Sequence, residues 1–318
     1  MNREIIVGKQ QQFTTINEAI NFINNTNDDN YDNDDNIELN TNINYITSIK
    51  VLAGIYEEIF ILPENTHLIG ETSSNIIIQF PSKTQIDKEI NNNYLISCNN
   101  NNIIQNITLN LDSNYNDNSD SNNNILDEII GINIQNKNNI ALKNVCFKNN
   151  NSFSKNKIIC VFIHGGEGHF IDNIYVDLNM GFGEIYGFYL EYIQKLSLSN
   201  SLINIYSPSK QNTGIYIDSN IHYKNINLLS TKINISNGEN NYGIYLVESS
   251  LLMEYSSIFI KGDENNSNGI YCCENKLSSQ SIDDDIFIKI IPTTNIEIED
   301  NVVKFIKCDG NGDGDGDG

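Results

Sequence analysis

Six segments of the chain share one pattern: GINI at 131–134, CVFI at 160–163, GFYL at 187–190, GIYI at 214–217, GIYL at 243–246 and GIYC at 269–272. Their first residues are separated by 29, 27, 27, 29 and 26 residues. A repeat of this length is typical of solenoids, in which each unit buries its apolar face only against neighbouring units. The second and fourth residues of each segment are apolar, cysteine included, which predicts strands with one buried face.

A second marker lies thirteen residues after the first residue of each unit, at Asn144, Asn173, Asn200 and Asn227, with Ser256 in the next unit. Asparagine tolerates left-handed backbone dihedrals and hydrogen-bonds neighbouring backbone groups, so we expect a turn at this point of each unit. Stacked turns predict an asparagine ladder in which each amide bonds the next. The same pattern indicates an earlier unit, followed by an inserted loop at about 112–124.

These repeats predict an all-β fold. The units of about 27 residues have no helical pattern and lack the leucine signature of leucine-rich repeats, which leaves a single-stranded parallel β-helix. The repeat predicts one domain over 1–308. The Asp/Gly-rich residues 309–318 are expected to form a disordered low-complexity tail.

Composition limits the partners. A formal net charge of −22 at pH 7 disfavours nucleic acid and anionic membranes. The first residues have no apolar signal core, and no segment is long enough to span a membrane, so we expect cytoplasmic synthesis, with the final location left open. Cys146, Cys160 and Cys272 occupy positions that otherwise hold apolar residues, which predicts reduced core cysteines.

The N-terminal residues 1–60 differ from the repeat and are predicted to form a cap. The segment FTTINEAINFI at 13–23 predicts an amphipathic helix over about 15–24, with Thr15 as N-cap and Glu18 three residues later as its capping-box partner. The Asn/Asp-rich residues 24–45 predict a flexible loop.

This cap resembles the pectin-lyase-like superfamily, and pectinesterases in particular. The matching elements are FTTINEAI at 13–20, IKVLAGIYE at 49–57 and LIG at 68–70. The resemblance implies a right-handed parallel β-helix whose end is closed by a short helix. It covers about the first seventy residues and concerns structural elements.

The resemblance does not bring the family's chemistry with it. Pectinesterases, pectate lyases and polygalacturonases use an arginine in or near the active site, whereas Arg3 is the only arginine of this chain. The catalytic motifs of pectinesterases and polygalacturonases are not found. We therefore transfer no catalytic residue from the family.

One segment is a candidate site, HGGEGHFID at 164–172. Glu167 and Asp172 are candidate general acid and base, with His169 beside them. The alternative interpretation is a glycine-rich turn between two strands with its polar groups in water.

The third residues of five consecutive units form an aromatic row: Phe162, Tyr189, Tyr216, Tyr245 and Tyr271. If the flanking apolar residues face inward, these rings face outward in a continuous stripe. The stripe is either a stacking ladder that stabilises the sheet or a binding face for carbohydrate or for another protein chain. In a third alternative the register is inverted and the tyrosines face inward.

The tail offers a weak metal motif. Asp309, Asn311 and Asp313 match the start of a calcium loop. We expect a low-complexity tail here, and Ca²⁺ binding is the alternative. No other cofactor is expected.

The preferred hypothesis is a non-catalytic β-helix that acts as a rigid structural or binding element of the fibre, spike or virion-associated type. It would bind a carbohydrate or protein surface and could form a homo-oligomer along the aromatic row. The alternative is a carbohydrate-active enzyme, a hydrolase, lyase or esterase with non-standard catalytic residues around Glu167–Asp172.

Overall fold

The computed structural model describes residues 2–28, 46–81, 93–112, 128–149, 157–179, 183–218, 225–247, 249, 251–261, 267–275, 288–290, 295–298 and 304–308.

Strands dominate these residues, and one helix, α1 (Ile16–Asp28), lies near the start. The strands are β1 (Asn2–Val7), β2 (Ile46–Val51), β3 (Gly54–Glu57), β4 (Phe60–Ile61), β5 (Thr66–Gly70), β6 (Ile76–Gln79), β7 (Tyr94–Ser97), β8 (Ile103–Asn110), β9 (Glu128–Gln135), β10 (Ala141–Asn149), β11 (Lys157–His164), β12 (His169–Asp172), β13 (Tyr175–Leu178), β14 (Glu184–Glu191), β15 (Lys195–Ser199), β16 (Leu202–Tyr206), β17 (Gln211–Asp218), β18 (Asn225–Leu229), β19 (Lys232–Ser236), β20 (Asn240–Val247), β21 (Leu251–Glu254), β22 (Ser257–Lys261), β23 (Ser267–Asn275), β24 (Ile288–Ile290), β25 (Asn295–Ile298) and β26 (Lys304–Cys308).

The strands form two sheets with parallel neighbours. Among the described residues, the small sheet runs in spatial order β4-β7-β9-β11-β14-β17-β20-β23-β26, and the other strands make up the large sheet. Each strand of the small sheet pairs with the strand of the next coil, as Tyr189 of β14 pairs with Tyr216 of β17. The predicted right-handed parallel β-helix is confirmed.

The apolar positions of the repeat face the core, as the alternation predicts. In β17, Ile215 and Ile217 are buried in the core, whereas Tyr216 between them is half-buried on the outer face. The inverted register, with the tyrosines inside, is therefore not the one that the chain adopts.

The alternation is interrupted once in every unit, at its first residue. In β14, Ile185 and Phe188 both belong to the core, while Tyr186 and Tyr189 lie on the outer face. Two consecutive residues, Gly187 and Phe188, therefore face inward, and the strand bends between the two outward tyrosines. Strand bends of this kind re-aim the side chains on either side of them.

Glycine occupies this bend in five of the six units, and the next coil lies directly against it. A Cβ atom on Gly187 would lie 2.6 Å from the carbonyl oxygen of Gly214, and one on Gly214 would lie 2.6 Å from that of Gly243. Cys160 takes the same place in its unit, and its side chain is fully buried in the core.

The asparagine ladder is present in the first coils. Asn144 donates its side-chain amide to the Oδ1 of Asn106 at 2.9 Å, and Asn173 donates to the Oδ1 of Asn144 at 2.6 Å. These residues have positive φ angles between 52° and 58°, as the turn requires. The next one, Asn200, also has a positive φ but donates to Asp172 at 2.8 Å.

The prediction that Asn227 and Ser256 continue this ladder is wrong. Asn227 lies within strand β18, and the left-handed turn position of these coils belongs to Ser230 and Tyr255, each with φ 51°. The backbone N–H of Asn200 donates to Leu229, the residue before Ser230. In these coils the turn does not lie thirteen residues after the first residue of the unit, because its position depends on how the coils stack and not on a constant number of residues.

Helix α1 closes the core at the β1 end. The capping box is confirmed, since Glu18 N–H donates to Thr15 Oγ1 at 3.1 Å and Thr15 N–H donates to Glu18 Oε2 at 3.1 Å. Ile16, Ile20 and Ile23 are buried against the core. The helix continues to Asp28, beyond the expected end at 24, so the start of the predicted loop is helical.

A buried carboxylate fixes the start of this helix. The side chain of Glu58 accepts the N–H groups of Ile16 at 2.9 Å and Asn17 at 2.8 Å, and only 8% of Glu58 is exposed. A carboxylate at a helix N-terminus satisfies N–H groups that have no partner within the helix.

Some predictions fall outside the described residues: most of the flexible loop, most of the inserted loop, and the tail. The cysteine prediction is confirmed for Cys160, which is free and fully buried, while Cys146 is free and partly exposed. Nothing is described of the side chain of Cys272.

Candidate functional site

The outer face of the small sheet carries the five residues of the predicted row, here called the aromatic stripe: Phe162, Tyr189, Tyr216, Tyr245 and Tyr271. All five are half-buried. Successive ring centroids are 5.7, 4.5, 5.3 and 4.7 Å apart, and successive ring planes differ by 31°, 17°, 29° and 34°. The rings are therefore stacked along the axis of the β-helix, one for each coil.

Two further tyrosines flank the stripe on the other side of the strand bend. Tyr186 lies 5.0 Å from Tyr189 with the rings at 81°, and Tyr242 lies 5.1 Å from Tyr245, also at 81°. Thr213 stands between these two tyrosines in the register of the sheet. Edge-to-face contacts of this kind stabilise aromatic clusters beyond the burial of their area.

Stacking decides which part of each ring a ligand can reach. Both faces of Tyr216 and Tyr245 are covered by their neighbours in the row, so the accessible parts are the ring edges and the hydroxyl groups. Burial raises the pKa of Tyr189 to about 12, and the Glu191 carboxylate adds to the rise. The pKa of Tyr216 is also raised, first by its burial and then by the nearby Tyr189 and Asp218. These hydroxyls therefore stay protonated at neutral pH and can donate hydrogen bonds.

Polar side chains follow the first three rings of the stripe along one border, two residues after each of these rings. His164, Glu191 and Asp218 lie there in register on β11, β14 and β17. His164 Nδ1 lies 2.9 Å from Glu191 Oε2. This border therefore offers an imidazole and two carboxylates on three consecutive coils.

The opposite border carries a cation held against the rings. Lys157 Nζ lies 3.1 Å from Glu128 Oε1, 4.4 Å from the centroid of Tyr189 and 5.2 Å from that of Tyr186. In the next coils the same border continues with a carboxylate and two amides, at Glu184, Gln211 and Asn240. Lys157 is thus held by a carboxylate and by cation–π contacts.

The glycine-rich segment places its three candidate residues in different surroundings. Glu167 is exposed in the turn between β11 and β12, where Gly165, Gly166 and Gly168 have positive φ angles. His169 faces inward with 3% of its surface exposed, and within the described part of the chain no hydrogen-bond partner is found for either ring nitrogen. Burial lowers the pKa of His169, so the ring is neutral at pH 7.

Asp172 takes part in the turn structure instead. Its Oδ1 accepts hydrogen bonds from Ser199 Oγ at 2.7 Å and from Asn200 Nδ2 at 2.8 Å. A carboxylate engaged in this way holds two coils together.

The calcium motif at Asp309, Asn311 and Asp313 lies outside the described residues. Within the described part of the chain, no three His, Cys, Asp or Glu side chains are grouped so that they could hold a metal ion. No helix in that part is long and apolar enough to cross a membrane.

The flanking tyrosines and both polar borders were not predicted from the sequence. The signal for the borders was present, because the fifth residue of four successive units is polar: Gln135, His164, Glu191 and Asp218. The signal for Tyr186 and Tyr242 was the glycine after each, which marks the bend that turns both members of a pair outward.

The fold is similar to that of solved pectin methylesterases, the class that the N-terminal motifs resemble. The enzyme from carrot is 12% identical with a TM-score of 0.46, over 92% of this chain and 88% of the other. The enzyme from Yersinia enterocolitica is 9% identical with a TM-score of 0.45, over 87% and 94%. PemA from Erwinia chrysanthemi is 10% identical with a TM-score of 0.41, over 91% and 93%. No protein-family model and no curated protein sequence matches the chain.

Proposed function

We propose that the protein is a non-catalytic β-helix that binds an extended polysaccharide along the aromatic stripe. The observation that carries this proposal is the row of stacked rings on successive coils, in which Tyr189, Tyr216 and Tyr245 present hydroxyl groups between two borders with polar side chains. Hydroxyls, carboxylates and amides are the partners that sugar hydroxyl groups need. Their regular spacing suits a ligand that is itself a linear repeat.

The absence of a catalytic role is supported by the glycine-rich segment. Glu167 is exposed, His169 is buried beneath the turn, and Asp172 bonds the neighbouring coil. General acid–base catalysis requires that both groups reach the same reacting atoms. These three side chains have no common approach to a substrate.

Binding to a glycan array tests the proposal. The triple variant Tyr189→Phe, Tyr216→Phe, Tyr245→Phe keeps the stacked rings and removes three hydroxyls, so we expect loss of glycan binding with an unchanged circular dichroism spectrum. The matched control is Tyr175→Phe with Tyr206→Phe, because these partly exposed tyrosines lie on the large sheet. Equal binding by the triple variant and the wild type would contradict the proposal.

Light scattering on the same samples separates a glycan from a protein partner. A homo-oligomer that the triple variant dissociates, without glycan binding by the wild type, would assign the stripe to contacts between copies of the chain.

A second candidate function is a carbohydrate-active enzyme, and the border with Glu191 and Asp218 favours it. Their strands are neighbours in the small sheet, which places the two carboxylates on consecutive coils, and retaining glycosidases use two carboxyl groups about 5–5.5 Å apart. Release of reducing ends or of methanol from neutral and acidic polysaccharides tests this function. Activity that Glu191→Gln or Asp218→Asn abolishes would establish it on this border. Activity lost only with Glu167→Gln or Asp172→Asn would assign it to the glycine-rich segment.

A further inference from the structure

We infer that the polysaccharide bound by the aromatic stripe carries protonated amino groups. This inference rests on the proposed function, because it names the chemical class of ligand for that same face. It is carried by two observations: the charge of both borders, and the way in which the protein places one of its own ammonium groups on this face.

The borders of the stripe are acidic. Glu191 and Asp218 follow the rings on one side, and Glu128 and Glu184 lie on the other. Lys157 is the cation seen against the rings, and it is already engaged by Glu128. With a formal charge of −22 on the whole chain, this face repels a polyanion and attracts a polycation.

Lys157 shows how an ammonium group fits this face. Its Nζ lies 3.1 Å from the Glu128 carboxylate and 4.4 Å from the ring centroid of Tyr189. The arrangement combines a charge-assisted hydrogen bond with a cation–π contact, both of which an aliphatic amine of a ligand can make. In the following coils the same row holds Gln211 and Asn240 rather than a cation.

Carboxylates of this face also lie on the two coils that follow Lys157, at Glu184, Glu191 and Asp218. Tyr216 is close enough to Asp218 and Glu191 for both carboxylates to raise its pKa. A polymer with one amine for each sugar, lying along the axis, would bring successive ammonium groups to successive coils. A neutral sugar polymer gains only hydrogen bonds in the same place.

Isothermal titration calorimetry tests the inference with oligosaccharides of equal length. The probes are a glucosamine hexamer, an N-acetylglucosamine hexamer and a galacturonate hexamer, at low salt and about pH 6, where amines carry protons. We expect the glucosamine hexamer to bind at least tenfold more tightly than its acetylated counterpart, with a preference that falls as salt is added. The galacturonate hexamer is expected not to bind.

Isosteric variants connect the preference to the border. Glu191→Gln with Asp218→Asn keeps the shape of the face and removes two charges, so the tenfold preference should disappear. Asp177→Asn is the matched control, because Asp177 accepts the hydroxyl hydrogen of Tyr175 on the large sheet at 3.2 Å. The control should bind like the wild type.

The outcomes separate this inference from the proposed function. Equal binding of the two glucosamine-based hexamers would overturn the inference and leave polysaccharide binding in place. Tighter binding of galacturonate would overturn the charge argument. Failure of every glycan would remove the proposed function itself. A lysine hexamer serves as a fourth probe. Its tighter binding than that of the glucosamine hexamer would assign the face to a basic peptide and overturn the inference.

Discussion

Replacing Gly214 by alanine tests whether the close contact between coils determines this fold. The added Cβ atom would lie 2.6 Å from the carbonyl oxygen of Gly243 and 2.6 Å from Cγ2 of Ile233. Ordinary van der Waals contact begins at 3.4 Å. One obstacle is backbone in the next coil and the other is a core side chain, so neither can move away as the free end of a flexible side chain would.

The expected cost follows from this geometry. Overpacking of a well-packed core costs about 1–3 kcal/mol, and a backbone obstacle places this substitution at about 2–3 kcal/mol. Unfolding entropy of about 2.1 cal/mol/K per residue converts this into a fall in Tm of about 3–5 °C for a chain of this length. Separating β17 from β20 would also loosen the stacking of Tyr216 on Tyr245, now 5.3 Å between centroids.

Urea unfolding followed by far-ultraviolet circular dichroism gives the stability. Near-ultraviolet circular dichroism reports the tyrosines without interference, because the chain has no tryptophan. The control is Gly54→Ala, whose Cβ atom would come no closer than 3.3 Å, to the ring of Tyr56. If Gly214→Ala unfolds at the same urea concentration as Gly54→Ala, with an unchanged tyrosine signal, the packing argument is refuted.

Three further predictions concern titration and the turns. Because burial raises the pKa of Tyr189 to about 12, its contribution to stability is present below about pH 10 and is lost as the pH rises towards 12. In a spectrophotometric titration, Tyr189→Phe should show one fewer tyrosine ionising at high pH than the wild type. A common midpoint near pH 10 for all tyrosines would contradict this prediction. Because burial lowers the pKa of His169, its contribution to stability is present above about pH 6.5 and is lost as the pH falls through the lowered pKa. The urea midpoint of His169→Leu should therefore change less between about pH 7 and 5 than that of the wild type. Equal pH dependence of the urea midpoint in the two proteins would refute the argument. Asn144→Ala removes two amide hydrogen bonds at a residue with a φ of 52° and should lower the free energy of unfolding by about 1–3 kcal/mol. Asn144→Gly should cost less, since glycine adopts this φ freely. Equal urea midpoints for the two variants would show that backbone conformation contributes nothing.

The sequence predicted those features that depend on residue type at a repeated position. The period of two predicted that Ile215 and Ile217 share one face of the strand and that Tyr216 lies on the other, and the structure selects the isoleucine face as the buried one. Thr15 and Glu18 predicted the start of the helix because a capping box is a local structure. These predictions succeeded because each depends on a few neighbouring residues.

The rest depended on stacking between coils, which a single repeat does not contain. Ser230 and Tyr255 occupy a left-handed turn that residue type does not favour, because the coil below fixes the backbone there. His169 was read as a site residue, yet it alternates with the exposed Phe170 and so faces the core together with Ile171. The acidic border arises from register between units, as between Glu191 and Asp218.

Helix α1 has a consequence for filament growth. A parallel β-helix ends in an apolar cross-section and in unpaired strand edges, both of which could accept another molecule end to end. Ile16, Ile20 and Ile23 fill this cross-section at the β1 end, and Glu58 fixes the start of the helix over it. Another chain could extend the core at this end only by displacing the helix and leaving the Glu58 carboxylate without its two N–H donors. The cap therefore opposes end-to-end stacking of another chain on the core at the β1 end.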